Sequence, residues 1–95
     1  RDVKSGSMNK SYTKSERSHL EAVKRLQCSV CDAPGPSSAH HIRQDDPYTC
    51  VALCYECHQG PKNGWHGQRA IWKVKKMDEL SALVITFKRL LGYPC

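Results

Sequence analysis

The chain has 95 residues with fifteen Lys and Arg against nine Asp and Glu, a formal net charge of +6. That length allows one small domain with a modest core. The absence of any run of about 18 apolar residues excludes a membrane-spanning helix, and no signal peptide is visible. A positive balance of this size suits a polyanionic partner, most often nucleic acid.

In chain order, Arg1 to Ser7 read as a tag remnant. Gly6-Ser7-Met8 resembles a cloning junction, so the domain is expected over residues 8–95. Thr13 and Glu16 stand three apart, as in a capping box, and His19, Leu20, Val23 and Leu26 recur at helical spacing. A helix is predicted from about Lys14 to Gln27. Cys28-Ser29-Val30-Cys31 is a first cysteine knuckle, followed by a loop over Asp32 to Ser38. Ala39 to Arg43 reads as the first strand of a hairpin, Gln44 to Tyr48 as its turn, and Thr49 to Leu53 as the returning strand. Cys54 opens a short helix that must stop near Gly60-Pro61, because proline cannot continue it. Gln68 to Lys76 is predicted helical, with Ile71 and Val74 or Lys75 inward. Asp78 reads as the N-cap of a last helix, about Glu79 to Leu91, ended by Gly92 and Pro94. Its apolar stripe is Leu80, Leu83, Val84, Phe87, Leu90 and Leu91. The fold class is therefore α+β: a small zinc-stabilised core of strand, turn, strand and short helix, flanked by N- and C-terminal helices.

Two C-x-x-C pairs, Cys28/Cys31 and Cys54/Cys57, carry the strongest chemical signal. A two-residue spacer lets one tight turn aim two thiolates at one point, and the two pairs complete a tetrahedron around Zn²⁺. Such an ion has no open position, so it is structural. It would substitute for large apolar residues that the middle of the chain lacks. Paired spacing, adjacent histidines and the missing signal favour zinc over three disulfides. Cys50, in an apolar run, reads as a small core residue, and Cys95 as a free thiol.

With the thiolates spent on that ion, four histidines are left over: His40, His41, His58 and His66. His19 lies far from them in sequence and reads as a surface residue or one that supports its neighbours, with no function assigned. Adjacent side chains on a strand point to opposite faces, so one of His40 and His41 can bind a metal while the other turns toward a water. Phosphodiester hydrolysis uses that division: an ion neutralises phosphate charge, and a neutral imidazole takes the proton of an attacking water. A second divalent ion is expected, Mg²⁺, Mn²⁺ or Zn²⁺, and a histidine-only site favours the softer ones. Arg69, Lys73, Lys75 and Lys76 on the helix after His66, with Arg43 beside the histidine pair, are expected to meet DNA phosphates.

Cys-x-x-Cys, His-His-Ile and Val-Ala-Leu-Cys-x-x-Cys-His, over Cys28 to His58, resemble the zinc-knuckle HNH nucleases. That resemblance implies the ββα-metal fold and DNA endonuclease activity. It implies that His40 and His58 bind the catalytic ion and that His41 is the general base. The family's middle asparagine falls near Thr49, a departure that leaves open what orients the base; Asn63 is a candidate if its loop folds back. Thr-Lys-x-Glu-x-x-His-Leu before the first knuckle and Gly-x-His-Gly after the second resemble one branch, the phage recombination-enhancement (Ref, RecA-dependent) nucleases. This likeness spans most of Met8 to Leu91. It implies that His66 joins the site, that a RecA filament on DNA is a partner, and that the protein works in a bacterial host cytoplasm with no small-molecule cofactor. The alternative is a zinc-knuckle module that binds nucleic acid, or docks on a filament, without cutting.

Overall fold

The chain folds as α1 (Lys14–Lys24), β1 (Ser38–His41), β2 (Cys50–Leu53), α2 (Tyr55–His58), α3 (Ala70–Val74) and α4 (Glu79–Leu91), in a computed structural model that describes residues 12–92. The expected tag remnant, Pro94 and Cys95 lie outside the described residues. Among the described residues no helix is long and apolar enough to cross a membrane.

Helix α1 starts as its sequence requires. Thr13 Oγ1 accepts from the Glu16 amide, and the Glu16 carboxylate accepts from the Thr13 amide, which completes the capping box. It stops at Lys24, three residues short of the expected end. Ser37 is the reason: its amide donates to the Lys24 carbonyl at 2.8 Å and its hydroxyl to the Leu26 carbonyl at 2.7 Å. The loop thus satisfies the carbonyls that leave the helix end, and no further turn is needed.

β1 and β2 pair antiparallel with Ser38 opposite Leu53, Ala39 opposite Ala52, His40 opposite Val51 and His41 opposite Cys50. The hairpin is shorter than its sequence suggests. A 3₁₀ turn over Pro47–Thr49, capped by the Asp46 carboxylate on the Tyr48 amide, absorbs Thr49. Alternation then divides the sheet into two faces. Cys50 and Ala52 pack with Leu20 and Val23 of α1, and Ala39 packs against that cluster. Val51 and Leu53 pack on the other side with Cys28, Val30, Cys57, Trp72 and Ala82. Cys50 is a fully buried small core residue, as expected, and burial first, then Asp46, pushes its thiol up to about 11.

Two inward faces differ from the sequence expectation. In α3 the buried residue is Trp72, whose Nε1–H donates to the Cys57 carbonyl at 3.0 Å, while Val74 is 81% exposed. In α4 the buried residues are Ala82 and Thr86, whereas Leu80, Val84, Phe87 and Leu91 of the expected stripe are exposed. Hydrogen bonding explains the rotation of α4. In this register Ala52 directs its amide and carbonyl to the outer edge of β2. The Ala52 amide donates to Thr86 Oγ1 at 3.3 Å, and its carbonyl accepts from the Ser29 amide at 2.9 Å. The Thr86 hydroxyl donates to the Ala82 carbonyl at 2.9 Å and lies 2.8 Å from the Ser29 hydroxyl. A buried strand edge needs such partners, and here the Ser29 amide and the Thr86 hydroxyl supply them.

Thr86→Val keeps the shape and strands two buried donors, the Ala52 amide and the Ser29 hydroxyl. The expected cost is about 1–3 kcal/mol per stranded group. Thr86→Ser keeps the oxygen and costs less. Urea midpoints of the two variants check this; equal midpoints would show that the edge does not depend on this hydroxyl.

Candidate metal centres

The first centre is made by two tight turns. Cys28 to Cys31 are held by the Cys28 amide on the Ala33 carbonyl (2.9 Å) and the Asp32 amide on the Cys28 carbonyl (3.0 Å), with Asp32 in the left-handed region at φ 63°. The Val30 amide donates to the Cys28 sulfur at 3.4 Å. Cys54 is the N-cap of α2 and Cys57 sits inside it. The four sulfurs lie within 4.8 Å of one another, with Cys28 and Cys57 buried and the other two half-buried. Cys31 and Cys54 sulfurs are 3.6 Å apart. Two thiolates on one tetrahedral Zn²⁺ stand about 3.8 Å apart, from Zn–S of about 2.3 Å. Burial first, and then Cys28 beside it, push the Cys57 thiol up. Four thiolates cannot share this space without a cation, so the group fits a structural ion such as zinc.

The second group consists of imidazoles. His40 is on β1, His58 is the last residue of α2, and His66 lies in the loop between α2 and α3. Their nitrogens lie within 4.8 Å of one another. Ring centroids are 5.0 Å apart for His40 and His58, 5.2 Å for His40 and His66, and 5.1 Å for His58 and His66. His40 Nδ1 is 3.2 Å from His58 Nε2, close to the roughly 3.3 Å between two nitrogens on one tetrahedral ion. Burial first, then His40 and His66, press His58 down to about 4. Its ring is therefore neutral near pH 7, with a lone pair to give.

A folded-back loop places His66. The Trp65 amide donates to the Cys57 carbonyl at 2.9 Å and the His66 amide to the His58 carbonyl at 3.1 Å. Gly64 and Gly67 make this approach possible: a Cβ on either would run into the Gly60 carbonyl oxygen. Asn63 lies half-buried in the same loop, and the Thr49 hydroxyl is engaged with the Asp46 carbonyl at 3.2 Å.

His41 is placed differently. It stands opposite Cys50, on the face of the sheet that packs against α1, while His40 stands opposite Val51 on the other face. The basic residues also divide. Arg69 has its guanidinium carbon 3.7 Å from the Trp65 ring centroid, and its Nε donates to the Trp65 carbonyl at 2.6 Å. Lys73 and Lys76 are exposed, and Arg43 is exposed with a 3.8 Å pairing to Asp45. α3 ends at Val74, so Lys75 and Lys76 lie beyond the helix, and Lys75 Nζ donates to the Val30 carbonyl at 2.6 Å. Lys75 thus braces the first knuckle.

One residue of the histidine group's surroundings carries no signal in the sequence. Glu79 Oε2 is 2.6 Å from His40 Nε2. Its sequence position, directly after a helix N-cap, marks only an ordinary first-turn acid.

Comparison with protein-family models, with curated proteins and with solved structures finds no match for this chain. Fold and side chains together define a small α+β protein with a four-cysteine group fit for zinc and a separate three-histidine group.

Gly64→Ala should displace the loop from Gly60, at an expected stability cost of about 1–3 kcal/mol from overpacking. The variant should retain its four-cysteine zinc and lose affinity for any ion at the histidines. Zinc content and Co²⁺ titration read the two groups separately; unchanged cobalt binding would show that His66 is not held by this loop.

Proposed function

We propose that this protein is a metal-dependent DNA endonuclease of the HNH, ββα-metal type, acting on DNA that carries a RecA filament in phage recombination. The observation that supports this reading is the convergence of His40, His58 and His66 on one point, apart from the four cysteines. Strand, strand and short helix follow one another in the order the ββα-metal resemblance implies, with His40 on the first strand and His58 on the helix.

In this reading His40, His58 and His66 hold a divalent ion, and their nitrogen set favours Zn²⁺ or Mn²⁺ over Mg²⁺. When bound, the ion supplies charge neutralisation on the phosphate and the leaving oxygen. His41 accepts the proton of the attacking water. It is the last residue of β1, on the face toward α1. Arg69 is held ready by Trp65, and with Lys73, Lys76 and Arg43 it meets backbone phosphates.

A second reading is a module that binds nucleic acid or a filament without cutting. The register favours it in one respect, since it sets His41 on the α1 face, away from the three histidines.

Nicking of plasmid and of RecA-coated DNA over Mg²⁺, Mn²⁺ and Zn²⁺ separates the two. His41→Ala should lose a factor of about 10²–10⁴ in rate while still binding metal and DNA, and excess metal should not restore it. His40→Ala, His58→Ala and His66→Ala should bind the ion more weakly and regain activity at high metal. Full cutting by His41→Ala removes it as the base. No cutting by the wild-type chain under any of these conditions favours the second reading.

DNA affinity should fall steeply with salt. Arg69→Ala and Lys73→Ala should each reduce the slope of log K against log salt by about 0.9 on duplex DNA. Lys75→Ala should change the slope less and lower thermal stability, because one of its three ammonium N–H groups is held by the Val30 carbonyl. A slope change from Lys75→Ala alone would reverse these roles.

A further inference from the structure

We infer that Glu79 is the positioning residue of the histidine group: by accepting a hydrogen bond from His40 Nε2–H it fixes one tautomer of His40 and aims the Nδ1 lone pair at the point shared with His58 and His66. This rests on the reading of those histidines as a metal site. His40 is 4% exposed and its two ring nitrogens face different partners. Nε2 lies 2.6 Å from Glu79 Oε2, and Nδ1 lies 3.2 Å from His58 Nε2.

For a neutral His40 ring facing a carboxylate, the chemistry allows one tautomer. An ionised carboxylate has no proton to give, so at 2.6 Å the hydrogen between the two atoms belongs to Nε2. A neutral imidazole carries one N–H, so Nδ1 is left with its lone pair, and that nitrogen points toward His58. Without Glu79 the buried ring could take either tautomer, and one of them would present an N–H to the cation. A carboxylate on the outer nitrogen of a ligand histidine also makes the ring a stronger donor.

Glu79 is itself well held. It is the first residue of α4, directly after Asp78, whose carboxylate accepts from the Ser81 amide at 2.8 Å and the Ser81 hydroxyl at 3.0 Å. The helix dipole favours negative charge at that end. Farther along, α4 is anchored by Thr86 on β2 and by Arg89, which donates to the Cys28 carbonyl at 3.1 Å and to Asp32 at 2.6 Å. The helix that carries this carboxylate is thus fixed at both ends, and a sterically equivalent amide cannot reproduce its charge.

The test compares wild type, Glu79→Gln and Glu79→Ala, each with one equivalent of zinc in the four-cysteine group. Imidazole ¹⁵N spectra, assigned with His40→Gln, report the tautomer of His40 before any second ion is added. Wild type should show protonated Nε2 and bare Nδ1. Glu79→Ala should show a mixture, and Glu79→Gln, whose amide oxygen still accepts, should keep the wild-type tautomer. Co²⁺ titration of the histidine group should then be about 10–100-fold weaker for Glu79→Ala, with Glu79→Gln between. A wild-type tautomer in Glu79→Ala overturns the proposal, and so does equal cobalt affinity in all three proteins. If Glu79→Ala does not fold, Glu79→Gln decides: wild-type cobalt affinity in that variant overturns the role of the charge. Wild type that shows the expected tautomer but binds no cobalt at the histidines would overturn the metal reading and leave the Glu79–His40 pair standing.

Discussion

Four thiols aimed at one point constrain everything else in this chain. Two come from a turn between α1 and β1, and two from the start of α2, so an ion among them ties the entry and the exit of the hairpin together. Large apolar residues are few in between, and the clusters on either face of the sheet consist mainly of Cys, Val, Ala and Leu with one Trp. In a domain this small, ion binding contributes stability that a larger core would otherwise supply. The surrounding hydrogen bonds serve the same turn: Lys75 reaches the Val30 carbonyl and Arg89 the Cys28 carbonyl.

The parts of the fold governed by local rules were legible in the sequence. Capping boxes and N-caps depend on residues three apart, which is why α1 begins and α4 begins and ends where Thr13, Asp78 and Gly92 place them. Paired cysteines and the strand–turn–strand order were legible for the same reason. Inward faces were not. For α4 apolar periodicity pointed at Leu80, Val84 and Phe87, but the helix turns Ala82 and Thr86 inward because a strand edge 34 residues away needs a hydroxyl. Periodicity weighs oil against water and is blind to a distant unpaired amide. The end of α1 was missed on similar grounds, since Ser37 satisfies its last carbonyls from outside the helix.

The candidate site shows the same split. The cysteines announced themselves by spacing and the histidines by the family resemblance, and the loop with Gly64 and Gly67 brings His66 to the others. Glu79 did not, because it approaches His40 from 39 positions along the chain and carries no motif. Nor did the commitment of Lys75, which on a longer α3 would have joined the exposed basic face. Register, finally, sorts two neighbouring histidines onto opposite faces of one hairpin, a distinction invisible until the pairing with Val51 and Cys50 is known.

Cys57 and His58 are consecutive residues of a single helical turn, one in each group. The two groups therefore share a short piece of backbone. The histidine group borrows the seat of His58, and through the Cys57 and His58 carbonyls that of His66, from the cysteine group. The exchange is not wholly one-sided, since the His58 amide donates to the Cys54 carbonyl at 3.0 Å and the Trp65 amide to the Cys57 carbonyl at 2.9 Å. An oxidant that reached one knuckle sulfur would shift the seats of His58 and His66 as well, without modifying either ring.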